Sequence, residues 1–134
     1  MICYGDSFAT IDLKKYLSFF NKNKKYGLVL SSFFKFQFGT LKIKERNNQV
    51  AGFIEKPVHS NPLNLGYMLF ENKFFKYINK FNSWLSFLEY ISKNNKLKYF
   101  DFKGLYVTCN NLLELKIAGL KMKEVQNFIK AKKY

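Results

Sequence analysis

Apolar positions along the chain switch between two periods, and the switches predict its elements. Ile2 to Tyr4 reads as the end of a short buried strand, closed by Gly5-Asp6-Ser7, where the glycine lets the backbone bend sharply. Leu13, Leu17 and Phe20 follow at i, i+4, i+7, the spacing of one helical face, with Asp12 placed to cap that helix and Asn21 to Lys25 ending it. Tyr26 to Phe34 carries Leu28-Val29-Leu30 in a run too short and too rich in β-formers for a helix, so it predicts a strand buried on both faces. Phe38 to Lys44 alternates apolar and polar residues, Arg46 to Gln49 supplies a turn, and Val50 to Ile54 returns as the partner strand of a hairpin. The hairpin ends at Glu55-Lys56-Pro57. Beyond a loop bracketed by Pro57 and Pro62, Leu65 to Phe70 predicts another strand.

From Asn72 to Asn95 the period lengthens to about 3.6, which predicts two short helices burying Phe74, Ile78 and Phe81, then Trp84, Leu88 and Ile91. Leu97 to Phe102 predicts a strand, and Gly104 to Cys109 a strand or an extended connection. Asn110-Asn111 opens a helix through Leu112, Leu115 and Ala118, and Met122 to Tyr134 reads as a basic helix or a frayed end. No repeat, linker or low-complexity block divides the 134 residues. Alternating strands and helices make this an α/β chain, residues 1–134 forming one domain or part of one.

Composition sharpens this picture in two places. The formal net charge is +14, from 23 Lys+Arg against 9 Asp+Glu, which raises the idea of a nucleic acid or an anionic membrane as partner. Only Arg46 among the basic residues is an arginine, although the planar guanidinium is the group that matches phosphates and base edges bidentately. Neither a specific nucleic acid nor a membrane is therefore expected, and abundant Lys, Asn, Phe, Ile and Tyr together are what an AT-rich coding sequence yields. With no signal-like start and no apolar run of roughly 20 residues, a soluble, cytoplasmic chain is expected. Cys3 and Cys109 are too few for a disulfide scaffold and read as free, mostly buried thiols, and His59, in its proline-bracketed loop, reads as solvated rather than catalytic.

Acidic residues are scarce, so those at strand ends carry weight. Asp6 beside Gly5 and Glu55 beside Lys56-Pro57 would both project from the carboxyl ends of strands, where open α/β sheets bind ligands. Locally, Asp6 could equally be an Asx-turn carboxylate bonded to its own backbone, and Glu55 a solvated strand end.

The order of short motifs adds a further reading. Tyr4-Gly5-Asp6, Asp12-Leu13, Phe38-Gly39-Thr40-Leu41, Val50 to Pro57 with Phe53-Ile54-Glu55-Lys56-Pro57, and Asn64-Leu65-Gly66 occur in sequence. So arranged, the chain resembles the sugar-phosphate nucleotidyltransferases, most of all the glucose-1-phosphate cytidylyltransferase-like enzymes, and the likeness continues through Trp84, Leu97 and Gly104 to about Leu115. The resemblance implies the second half of a Rossmann-like (GT-A-like) domain, a mixed sheet flanked by helices. It also implies the transfer of a nucleotidyl group from a nucleoside triphosphate to a sugar 1-phosphate for polysaccharide precursors, with Mg²⁺ as cofactor. By the same resemblance Asp6 is a metal ligand, Glu55 accepts bonds from sugar hydroxyls, Lys56 faces the sugar phosphate as the catalytic cation, and Gly39, Asn64 and Gly66 belong to the sugar-binding segments.

Two departures stand out. At the second metal position this chain has Asn110-Asn111 in place of Asp-Thr, similar to the Asn-Asn-x-Leu-x-Leu of N-acetylglucosamine-1-phosphate uridylyltransferases. That makes Asn110 the second expected metal ligand, through an amide oxygen that is neutral but hard; its local alternative is a helix N-cap. Nothing in the chain matches the family's Gly-rich triphosphate loop. The N-terminal nucleotide-binding half is thus expected on a separately encoded partner chain, or self-association covers the exposed sheet; a decayed fragment and a polyanion-binding module are the competing readings.

Overall fold

The structure is a computed structural model, and it describes residues 1–44 and 48–131. The chain divides into two compact units, residues 1–31 with 64–131 of the described chain, and residues 32–63.

The first unit is built on a four-stranded mixed sheet. Its strands are β1 (Ile2–Cys3), β3 (Gly27–Ser32), β6 (Leu63–Leu69) and β7 (Leu97–Asp101), in the order β1-β6-β3-β7. β1 runs antiparallel to β6, with Ile2 opposite Met68, and β3 runs parallel to β7, with Gly27 opposite Leu97. Alternation along β3 and β6 sorts side chains between two layers. Leu28, Leu30, Leu65 and Leu69 pack with Tyr16 and Phe20 of α1 (Leu13–Lys22) on one face. Val29 and Met68 pack with Phe74, Phe87 and Ile91 of α2 (Asn72–Phe75) and α3 (Trp84–Lys93) on the other. This is the strand buried on both faces that the Leu28-Val29-Leu30 run predicts, and the chain is α/β.

Several expectations about the core are corrected by the geometry. On α1 the stripe turns inward at Tyr16, wholly buried, while Leu13 and Leu17 are nearly half exposed on its flank. Tyr16 is hidden from hydropathy by its hydroxyl, which donates to the carbonyls of Leu28 (3.3 Å) and Tyr67 (3.0 Å). Between Asn72 and Asn95, the two short helices are a single turn, α2, and the longer α3, separated by a 3₁₀ turn over Ile78–Lys80. Phe87, only 1% exposed, is the deepest residue there, whereas Ile78, Phe81, Trp84 and Leu88 are half-buried. β1 is shorter and less buried than a central strand: it pairs on one side only, so Cys3 is exposed. Cys109 is half-buried, so neither thiol is sequestered in the core.

A second ladder completes this unit. β2 (Ser7–Ala9) pairs antiparallel with β8 (Tyr106–Thr108), in register Ser7–Thr108, Phe8–Val107 and Ala9–Tyr106. Behind β8, α4 (Leu112–Ala131) packs as one unbroken helix of 20 residues. It buries Ala118 and Val125, while Leu112 at 78% and Leu115 are exposed, so the expected Leu112-Leu115-Ala118 face is buried only at Ala118. No helix among the described residues is long and apolar enough to cross a membrane.

The second unit is a hairpin, β4 (Thr40–Lys44) against β5 (Gln49–Ile54). The ladder shifts register after Lys42–Gly52, leaving Ala51 as the extra residue of a β-bulge. Of the turn expected at Arg46 to Gln49, Arg46 and Asn47 lie outside the described residues, and Asn48 takes a left-handed φ of 53°. A Lys35–Val58 bridge with hydrogen bonds from Phe36 N to Pro57 O and His59 N to Phe34 O extends the pairing below the hairpin. There His59 is stacked on Phe34 (5.1 Å between centroids, 16°) and its Nδ1 lies 2.7 Å from Asn61 O, so it is held in the loop rather than freely solvated.

Candidate functional site

The β2–β8 ladder decides where Asp6 and Asn110 go. Asp6 immediately precedes β2, and its carbonyl accepts from Cys109 N at 2.9 Å, one residue before Asn110. Facing residues in an antiparallel pair lie about 5 Å apart, so the pairing sets Asp6 across from Cys109 and beside Asn110, although 103 residues separate the two in sequence. Asp6 Oδ1 accepts from Ser7 Oγ at 3.0 Å, a bond to the neighbouring side chain rather than an Asx-turn to its own backbone, and Oδ2 accepts no bond among the described residues.

Asn110 is oriented by Glu114. Its backbone N–H (2.7 Å) and its Nδ2 (2.8 Å) both donate to Glu114 Oε2, and Nδ2 also donates to Thr108 Oγ1 at 3.1 Å. A carboxylate only accepts, so the amide nitrogen must face it, which turns Asn110 Oδ1 away. The helix cap belongs to the next residue. Asn111 Oδ1 accepts from Glu114 N at 2.9 Å, and Asn111 Nδ2 donates to Glu114 Oε1 at 3.2 Å, a reciprocal arrangement of the capping-box kind. The bonds from Asn110, then that from Asn111, hold the Glu114 carboxyl below the usual glutamate range, against a raising influence from nearby Asp6. Glu114 is the residue the motif comparison overlooks; the Asn111-x-x-Glu114 spacing is the signal that could have found it.

Asn64 and Gly66 lie on β6 against the same segment. Gly66 has φ +78°, and a Cβ there would stand 2.7 Å from the Tyr4 ring, so glycine is required both by the left-handed backbone and by the ring lying on it. Tyr4 N donates to Gly66 O at 2.9 Å. Asn64 folds back on this turn, its Oδ1 accepting from Gly66 N at 2.8 Å and its Nδ2 donating to Tyr4 Oη at 3.4 Å. The two motifs Tyr4-Gly5-Asp6 and Asn64-Leu65-Gly66 thus form one physical object. Tyr67 ties it to β2, donating to Ser7 O (3.0 Å) and accepting from Ala9 N (3.2 Å); partial burial pushes its phenol above the usual tyrosine range.

Gly39, Glu55 and Lys56 belong to the hairpin unit. Because Thr40 pairs with Ile54, Gly39 and Glu55 meet at the hairpin's open end, and a Cβ on Gly39 would come within 3.2 Å of Glu55 Oε2. Lys56 takes a left-handed φ of 44°, a costly conformation for a side chain with a Cβ, and its Nζ lies 4.0 Å from Glu55 Oε1. Both side chains are largely exposed.

The donor set at Asp6 and Asn110 suits a hard cation. One carboxylate oxygen and one amide oxygen, each without a donor among the described residues, match the few protein oxygens that Mg²⁺ takes beside phosphates and water. Among the described residues there is no group of three or more His, Cys, Asp or Glu able to enclose a metal entirely.

No protein-family model matches the chain, and no curated protein matches it in sequence. Solved structures do match in fold. One, described as a glucose-1-phosphate thymidylyltransferase from Bacillus anthracis in complex with sucrose, has a TM-score of 0.58 and 22% identity over 85% of this chain and 50% of its own. HddC from Yersinia pseudotuberculosis has a TM-score of 0.55 and 18% identity over 88% of this chain and 52% of its own. This chain therefore spans about half the length of the solved structures it resembles, and its mixed α/β architecture is that of one half of a sugar-phosphate nucleotidyltransferase-like fold.

Proposed function

We propose that this chain is the sugar-1-phosphate and metal-binding half of a sugar-phosphate nucleotidyltransferase. The observation that supports the reading is the β2–β8 pairing, which sets the Asp6 backbone opposite Cys109 and so one position from Asn110, next to the turn built by Tyr4, Asn64 and Gly66. Each residue's local role, a turn for Asp6 or a cap for Asn110, gives no reason for the two segments to pair.

In the proposed reaction a phosphate oxygen of the sugar 1-phosphate forms a bond to the α-phosphorus of a nucleoside triphosphate. The bond from that phosphorus to the bridging oxygen breaks, and pyrophosphate leaves. Asp6 and Asn110 would hold Mg²⁺, which when bound offsets the crowded phosphate charge. Glu114 acts through Asn110, keeping its amide oxygen turned outward. Glu55 accepts bonds from sugar hydroxyls and Lys56 supplies the cation for the sugar phosphate; Gly39 leaves room for the Glu55 carboxylate, and Asn64 with Gly66 shapes the sugar-side turn. Positioning supplies most of the catalysis in phosphoryl-group chemistry. The chain alone is therefore expected to release no pyrophosphate from nucleoside triphosphate and sugar 1-phosphate.

Calorimetric titration tests the reading. Mg²⁺, or Mn²⁺ as its spectroscopic stand-in, should bind with the affinity falling at least tenfold in Asp6→Asn and in Asn110→Ala. Glucose 1-phosphate should bind more tightly with the metal present than without it, and Lys56→Gln should weaken that binding while leaving metal affinity unchanged. Unaltered metal affinity in both Asp6→Asn and Asn110→Ala would overturn the assignment.

A further inference from the structure

The first unit holds a cavity of about 370 Å³ where the parallel strands β3 and β7 begin, with neither Asp6 nor Asn110 in its lining. Its lining includes buried Phe74, Phe87 and Ile91 and the more exposed Tyr77 and Tyr90. Three lysines complete the lining, and each comes from a different element: Lys25 precedes β3, Lys73 sits on α2 and Lys96 precedes β7.

Two of the three backbones are fixed by hydrogen bonds. Lys96 follows α3 in a Schellman turn: Asn95 takes a left-handed φ of 54°, Asn95 N donates to Ser92 O (2.9 Å) and Lys96 N to Ile91 O (2.8 Å). Its carbonyl in turn accepts from Gly27 N at 2.8 Å, joining the rim to β3. Lys25 stands inside the turn closed by Tyr26 N donating to Asn23 O at 2.9 Å, with its Nζ 5.1 Å from the Tyr26 ring centre. Lys73 is offset by an ion pair with Glu71. Lys25 and Lys96 have no carboxylate partner among the described residues, so the rim carries two uncompensated positive charges.

A pocket of this size is at the small end of the range for ligand sites, and its aromatic walls with a cationic rim define what suits it. A planar ring fills the apolar part, and the two ammonium groups match a doubly charged anion better than a single carboxylate. We propose that this cavity binds a phosphate monoester of a planar aromatic ring, at a site separate from the Asp6–Asn110 region and independent of the function proposed for it.

Phenyl phosphate is the probe, titrated into the full chain by calorimetry and by ligand-observed NMR. Saturable binding is expected, at least tenfold weaker in Lys25→Gln/Lys96→Gln. Lys14→Gln/Lys15→Gln, on exposed positions of α1, should bind as the parent does. Inorganic phosphate and phenol should each bind at least tenfold more weakly than phenyl phosphate, and ring protons should show the strongest saturation transfer. Equal loss in both double variants would mean diffuse attraction to a cationic surface and would overturn the proposal. So would inorganic phosphate binding as tightly as phenyl phosphate, or no saturable binding at millimolar concentrations.

Discussion

The two units use the same kinds of apolar residue in opposite ways. In the sheet unit Leu28, Val29 and Leu30 disappear into two cores on the two faces of one strand. In the hairpin unit Leu41 faces Phe53 and Ile43 faces Val50 across one surface of the ladder, yet all four are exposed, Phe53 at 81%, and Phe38 just before β4 is 79% exposed. Among the described residues of the hairpin unit none is buried. Alternation makes a strand, then, but only a second layer makes a core. The hairpin holds its shape through ladder hydrogen bonds and cross-strand pairs, which contribute far less than burial does.

This contrast can be broken most forcefully in the core. Phe87→Ala should destabilise the chain by about 3–5 kcal/mol, whereas Phe53→Ala should change stability by no more than about 0.5 kcal/mol, both read from urea unfolding. Comparable losses would mean that the hairpin face is covered in solution.

The two site glycines sharpen it next. Gly66→Ala must place a methyl in the Tyr4 ring at a left-handed backbone, which should cost roughly 2 kcal/mol or more. Gly39→Ala meets only the movable Glu55 carboxylate, so the same measurement should shift by about 0.5 kcal/mol or less.

Alkaline titration probes the polar joints of the sheet unit. Burial raises the phenols of Tyr16 and Tyr67, so their neutral forms stabilise the fold at neutral pH, and that contribution is lost as pH rises through their raised folded-state values. In an ultraviolet titration these two phenols should ionise above the ordinary tyrosine range, and Tyr16→Phe should remove the later part of that signal. The smallest effect lies at Glu114. Its lowered pKa means that its contribution is present above the ordinary glutamate value and is lost as pH falls through the lower folded-state value. Protection of the first-turn amides of α4, measured against their intrinsic exchange rates, should fall as pH drops through that value, and Glu114→Gln should flatten that dependence.

Much of the scaffold was legible along the chain. Asp12 caps α1 by accepting from Lys15 N at 3.2 Å, the Leu28 run is the doubly buried strand, and the hairpin falls where alternation puts it. Tyr16 and Phe87 were not legible as the deepest residues of their helices. A polar hydroxyl masks the first, and the second shares its helical face with Trp84 and Ile91, so that periodicity alone does not rank their depths. At the site, the motifs named Asp6, Asn64, Gly66 and Asn110 but missed Glu114 and Tyr67, whose roles depend on neighbours 4 to 60 residues away.

Sequence by itself determined the alternation of strands and helices, the α/β class and the residue types at the candidate site, because period, caps and turn chemistry act over a few neighbouring positions. Tertiary structure alone decided which face of α1 turns inward, that Asn111 rather than Asn110 caps α4, and that Asp6 comes to stand beside Asn110. Those outcomes rest on strand register and on hydrogen bonds between distant segments, and a register is fixed only when both strands and the layers that bury them are present together.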